Sequence, residues 1–160
     1  MHKKYTFAIP AVIYAVVVFY LSSISSPPNP INPQWFEDVI RVLRENGMEI
    51  IALPFYFGYR HPDKIAHVFL YSGFGLTLYP AVRYIAGKYP HTISIVLGTI
   101  YAVSDEFHQS LVPGRTLSFS DFLADFAGLL ISQLVIIGIF RLRKRYFLKN
   151  RYDKYGGIID

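Results

Sequence analysis

The charged residues that bound the apolar runs of this 160-residue chain fall at alternating ends of successive runs. Asp63, Lys64 and His67 open one run. Asp105, Glu106, His108 and Gln109 close the next, Arg115 lies in the short connection, and Asp121 and Asp125 open the last. Helices that cross a bilayer in alternation would gather all of these groups in one layer. An ionisable group costs roughly 2.5–3.5 kcal/mol at the bilayer centre, so a layer that holds this many is read as a site.

Composition points the same way. The chain is 52% hydrophobic and 17% aromatic. It is only 17% charged, where soluble domains carry about 25%. The expectation is an all-α integral membrane protein. There is no cysteine, which excludes disulfides, thiolate metal sites and a thiol nucleophile. The net charge of +5 suggests nucleic acid at first, but seven of the sixteen Lys and Arg lie between Arg141 and Lys154, directly after an apolar run. That pattern reads as a cytoplasmic juxtamembrane anchor, with no nucleic-acid partner.

Four spans are expected at about 5–24, 63–84, 91–109 and 119–140, forming one four-helix bundle within a single domain, 1–160, that ends in a basic tail, 141–160. The first, Tyr5–Ile24, follows Lys3 and Lys4 and at about 1.5 Å per residue reaches about 30 Å, one hydrocarbon thickness. A signal peptide is the competing reading, given the basic start and the small residues Ser22 to Ser26. The length of the run and the spans that follow favour an uncleaved helix.

Between spans one and two, Pro27, Pro28, Pro30 and Pro33 exclude a helix at the start of the segment. From Gln34 an amphipathic helix is expected. Trp35, Phe36, Val39, Ile40 and Leu43 share one face, and Glu37, Asp38, Arg41, Arg44 and Glu45 the other. The aromatic run Leu53–Tyr59 suits a membrane interface. The whole segment reads as an interfacial amphipathic loop, either a surface anchor or a cover over the site. Pro113-Gly114 marks the turn between spans three and four. With four spans, eleven Lys and Arg share a side with both termini and five lie opposite, so both termini are expected in the cytoplasm and the polar layer outside.

Helical spacing sharpens the layer into three stripes. Asp63, His67 and Tyr71 lie on span two; Tyr101, Asp105 and His108 or Gln109 on span three; Asp121, Asp125, Gly128 and Ser132 on span four. Asp63, Asp105, Glu106, Asp121 and Asp125 outweigh Lys64 and Arg115 by three charges when the histidines are neutral. Such a site must share protons, hold a cation or turn carboxylates to water. A phosphate substrate would need a divalent metal to bridge it to the carboxylates.

Each residue also has an ordinary role. Asp63 and Asp121 suit helix starts, the latter after a Ser118 or Ser120 cap. His67 suits an interior hydrogen bond, and Gln133 an interhelical one. Asp105 and Glu106 oppose the dipole at a helix end, and an ion pair with Arg115 is the simplest offset.

The run Asp105-Glu106-Phe107-His108-Gln109-Ser110-Leu111-Val112-Pro113-Gly114-Arg115, followed by Ser118 and Asp121, resembles the VanZ-like membrane proteins. So does Asp63-Lys64, followed by His67, Tyr71 and Gly73. The resemblance covers about Asp63 to Leu130. It implies a small multi-span bacterial membrane protein, in a family named for a member linked to teicoplanin resistance. Asp63, Lys64, His67, Asp105, Glu106, Gln109, Arg115 and Asp121 carry over as its polar signature. Asp125 departs from it, standing where the family often has Asn, and adds a charge.

Two functional classes follow. One is an enzyme acting on a membrane lipid or lipid-linked envelope precursor, with Asp105 or Glu106 as general base, His67 as acid/base partner and Arg115 as anion clamp. The other is a non-catalytic protein that binds such a molecule or helps it move. An ion-coupled carrier fits less well, because its site would sit at mid-bilayer. The spans show no clear small-xxx-small dimer face.

Overall fold

The computed structural model describes residues 6–27 and 32–155, the last five by backbone alone. The expected basic start at Lys3 and Lys4, Tyr5, and Pro28 and Pro30 lie outside the described residues. Six helices and no strand are found among them: α1 (Ile9–Ser22), α2 (Pro33–Glu45), α3 (Glu49–Arg60), α4 (Pro62–Ala86), α5 (Pro90–Ser110) and α6 (Phe119–Tyr155). The all-helical expectation holds. Two helices, Pro62–Ala86 and the 119–150 stretch of α6, are long and apolar enough to cross a membrane. α1 is apolar but has 14 residues. α5 has the length, but its interior and end carry Ser94, Ser104, Asp105, Glu106, His108 and Gln109.

The inter-span segment contains the amphipathic helix expected from Gln34, but a second helix replaces the interfacial loop expected to follow it. It is a hairpin of two helices. Pro33 opens α2, and Asn32 caps it by accepting a bond from the Gln34 N–H at 3.0 Å. Gly47, at φ +70°, closes α2. Its N–H reaches Arg44 O at 3.0 Å and the Met48 N–H reaches Leu43 O at 2.9 Å, the paired bonds of a Schellman stop. α3 forms through the aromatic run despite Pro54 because it packs on α2: a Cβ on Gly58 would stand 2.4 Å from the Phe36 ring. Phe36 and Ile40 are buried as expected, but Trp35 stays exposed.

α6 also runs on through the basic segment to Tyr155, since no proline follows Pro113. Its apolar part ends near Phe140, but the helix does not.

α4 and α6 form the central pair. Contacts rise together along both chains: Lys64 with Asp121, His67 with Asp125, and Ser72 Oγ donating to Gly128 O at 3.1 Å. The two helices are therefore parallel and nearly in step. Their closest approach is at Gly128, where a Cβ would stand 2.4 Å from Val68 O and 2.9 Å from Ser72 N. One turn on, a Cβ on Gly75 would meet Ser132 Oγ at 2.1 Å. α5 runs antiparallel against them, with Tyr71 near its C-terminal Asp105 and His91 Nδ1 paired with Gln133 Oε1 at 2.9 Å at the far end. α1 closes the bundle: Tyr101 OH donates to Ala15 O at 2.6 Å, and Tyr14 lies over Gly73. Val18, Tyr71, Phe74, Ala102 and Leu129 make the central apolar cluster.

Polar side chains share the interior with the apolar core, and large apolar side chains cover much of the outside. Ser94, Asp105, Glu106, Gln109, Asp125, Ser132 and Gln133 are inside, while Val12, Ile13, Val16, Phe69, Ile100, Val103, Leu134 and Val135 face out.

The Gly128 approach generates a test. Gly128→Ala must push α4 off backbone atoms, and overpacking of this kind costs about 1–3 kcal/mol. Gly138→Ala, with open space around its Cβ, leaves the stability unchanged or slightly raised. Thermal melts of the detergent-solubilised variants check both.

Candidate functional site

The polar stripes converge at one end of the bundle around a pocket of about 600 Å³, lined by residues that include Ser22, Ser25, Asp63, Lys64, His67, Gln109, Arg115, Thr116, Ser118 and Asp121. Leu21, Ala66 and Leu70 form its apolar side. No residue of the α2–α3 hairpin lines it.

Pro62 starts α4, which puts Asp63 and Lys64 in its first turn. Lys64 Nζ bridges Asp63 Oδ2, at 2.9 Å, and Asp121 Oδ1. The Ser118 hydroxyl accepts the Asp121 N–H at 3.2 Å and caps α6, which orients Asp121. Those two carboxylates thus share one ammonium.

Val112-Pro113-Gly114-Arg115 forms the connection. The Arg115 N–H returns to Val112 O at 3.1 Å and Gly114 takes φ +81°, the pattern of a turn with Pro then Gly at its centre. The turn folds Arg115 back over the pocket. Its guanidinium does not meet Asp105 or Glu106, which corrects the expected ion pair. It donates to Gln109 Oε1 at 2.6 Å and to Ile24 O at 3.5 Å. Gln109 relays this inward, its Nε2 donating to Asp105 Oδ2 at 3.0 Å and to Ser22 Oγ at 3.2 Å. Tyr71 OH donates to the same Asp105 oxygen at 3.2 Å. An amide reaches both partners because it offers a donor and an acceptor on one plane.

Behind the pocket wall lies a second group. His67 Nδ1 hydrogen-bonds Asp125 Oδ1 at 2.8 Å, and the Ser118 N–H donates to Glu106 Oε2 at 2.9 Å. One donor atom from each of His67, Glu106 and Asp125 lies within 4.8 Å of the others. Glu106 and Asp105 are each 3% exposed and Asp125 0%. Each keeps one oxygen with no hydrogen-bond partner: Asp105 Oδ1, Glu106 Oε1 and Asp125 Oδ2.

Of the residues read from sequence as a site, the structure gathers Asp63, His67, Asp105, Glu106, Gln109, Arg115 and Asp121. It does not gather His108. That ring stacks on Phe19 at 4.3 Å and pairs with Ser23 Oγ at 3.0 Å, on the α1 side of α5. One turn of α5 carries both His108 and Gln109, and only Gln109 points at the stripe of Asp105. Asp125, outside the carried-over signature, is instead the most buried acid of the group. Its position four residues after Asp121 already placed it on the span-four stripe in the sequence; its depth was not expected. Ser22 was missed altogether; a serine at the end of an apolar run gives no sign of facing a glutamine 87 residues away.

The VanZ/LLP1 family model matches residues 7–141. This chain belongs to the VanZ/LLP1 family. The match extends well beyond the 63–130 stretch that carries the sequence resemblance, and it takes in α1 and the hairpin of this VanZ-like protein. No curated protein and no solved structure matches the chain.

Gln109 carries the only link from the arginine to the buried acid among the described residues. Gln109→Leu should cost about 1–3 kcal/mol, because it removes a donor from buried Asp105 and the acceptor from Arg115. His108→Ala, off the network, should cost less. Chemical denaturation of both variants in detergent, read by tryptophan-independent circular dichroism, checks the ranking.

Proposed function

We propose that this VanZ-like chain is an integral membrane protein whose pocket opens at the extracytoplasmic face and receives the headgroup of a lipid or lipid-linked cell-envelope molecule. The exposed apolar faces of the bundle, together with the carboxylates buried at one end, carry this reading. An apolar exterior on α1, α4, α5 and α6 is stable only against another apolar phase, and buried carboxylates at one end of the bundle need a shared environment that lipid cannot supply. In this arrangement all four helices cross the bilayer in alternation. The short α1 and polar-ended α5 are held by packing against the more hydrophobic α4 and α6. The α2–α3 hairpin, with Ile50, Ile51, Leu53 and Phe57 exposed, lies on the membrane surface beside the pocket.

Orientation follows from charge. Arg83, Lys88 and the basic end of α6 lie at the end of the bundle away from the pocket, so that end is cytoplasmic. An envelope source for the ligand is suggested by the resemblance to a family named for a member linked to teicoplanin resistance.

Arg115 defines the kind of headgroup. It lines the pocket and has no carboxylate partner among the described residues, so its charge is available to an anionic group. His67 lines the same pocket with Asp125 and Glu106 behind it, an arrangement suited to moving a proton to or from a bound headgroup. That backing favours turnover over passive binding.

Topology is checked with single cysteines, which the chain otherwise lacks. Thr116→Cys should label in intact cells with a membrane-impermeant maleimide, and Lys88→Cys should not; the reverse pattern would move the pocket to the cytoplasmic face. Headgroup binding is checked by the lipids retained through purification, measured by mass spectrometry. Arg115→Ala should lower retained anionic lipid at least several-fold, and unchanged retention would remove the anion contact from this reading.

A further inference from the structure

We propose that His67, Glu106 and Asp125 form a binding site for one divalent transition-metal ion, Zn2+ or Mn2+, at the base of the pocket. Three helices each supply one ligand: α4 the imidazole, α5 and α6 a carboxylate.

Geometry is the first support. The three donor atoms lie within 4.8 Å of one another. Ligands held about 2.0–2.2 Å from one ion stand about 3–4 Å apart, so small side-chain rotations close the set. Unused donor capacity is the second, and it is independent of proximity. Glu106 Oε1 and Asp125 Oδ2 are buried and have no hydrogen-bond partner, while the other oxygen of each is already held, by the Ser118 N–H and by His67. Glu106 is fixed through one oxygen by a backbone N–H with the other left over, which is how a metal ligand is oriented by its surroundings. Asp125 would exchange its bond to His67 for the shared ion.

Charge is the third. Among the described residues neither Lys64 nor Arg115 pairs with these two acids. Lys64 serves Asp63 and Asp121, and Arg115 sits on Gln109. Glu106 and Asp125 therefore have only His67 among the described residues to offset them. Burying an ionised carboxylate without compensation costs several kcal/mol, and a dication compensates both.

The donor set selects the ion. Mg2+ and Ca2+ prefer all-oxygen shells, whereas an imidazole nitrogen with two carboxylates suits Zn2+ or Mn2+. Three protein ligands leave coordination positions open, and His67 belongs to the pocket lining. None of this depends on the membrane placement or on the headgroup; in the metal-loaded protein His67 is a ligand and does not itself carry a proton to or from a bound group.

Equilibrium dialysis of the detergent-solubilised full chain, stripped with chelator and titrated separately with Zn2+ and Mn2+, tests the site. One ion per chain is expected to bind saturably and raise the melting temperature. Asp125→Ala and Glu106→Ala should each weaken binding at least tenfold, and His108→Ala should leave it unchanged. X-ray absorption of the zinc-loaded unmutated protein reads the shell without any variant, and should show only nitrogen and oxygen neighbours with the signature of one imidazole. Absence of saturable binding would overturn the site. So would binding that survives both alanine variants, or a shell with several imidazoles.

Discussion

The parallel contact between α4 and α6 at Gly128 is the interaction on which the rest of this structure depends. Missing Cβ atoms at Gly128 and Gly75 let the two helices come together over about two turns of α4 and one of α6. The step between paired residues then stays nearly constant, so Lys64 meets Asp121, His67 meets Asp125 and Ser72 meets Gly128 O. A slip of one residue would turn each acid about 100° away from its partner and leave it against apolar neighbours. The glycines therefore position the charged pairs, and the pairs in turn penalise any other register.

The site built on this contact has two levels. Nearest the pocket, Lys64 is neutralised between two aspartates, while Arg115 rests on a glutamine amide and has no carboxylate partner among the described residues. Deeper, three carboxyls are wrapped by hydrogen bonds to one oxygen each and left with a second. Burial of this kind is costly, and an apolar core of the same shape would often be no less stable. The two levels meet at His67, which belongs to both the pocket wall and the inner group.

Much of this was legible in the chain. The alternation of charged ends, the i to i+4 spacing of Asp63 with His67 and of Asp121 with Asp125, and the Pro113-Gly114 turn are local patterns, and each has its expected place. The α2–α3 hairpin was only half legible. Its first helix announces itself by an amphipathic face and a Pro33 start, but the second contains Pro54 and an unbroken aromatic run, and it is helical because Phe36 packs on Gly58. The choice of Gln109 over His108, and of an amide rather than a carboxylate as the partner of Arg115, was not legible. Adjacent residues near a helix end differ by about 100° in direction, and which of them faces inward depends on where α1 and α4 lie.

The sequence by itself determined that this chain is helical, that its polar residues collect at one end of the bundle, and which family it belongs to, because hydrophobic period, turn chemistry and a motif are all written in neighbouring residues. Only the tertiary structure decided that Asp125 is the deepest acid, that Arg115 is relayed through Gln109, and that His67, Glu106 and Asp125 converge. Those facts depend on the rotation and register of α4, α5 and α6 about one another, set by close approaches at Gly75, Gly98 and Gly128 whose partners lie far away in the chain.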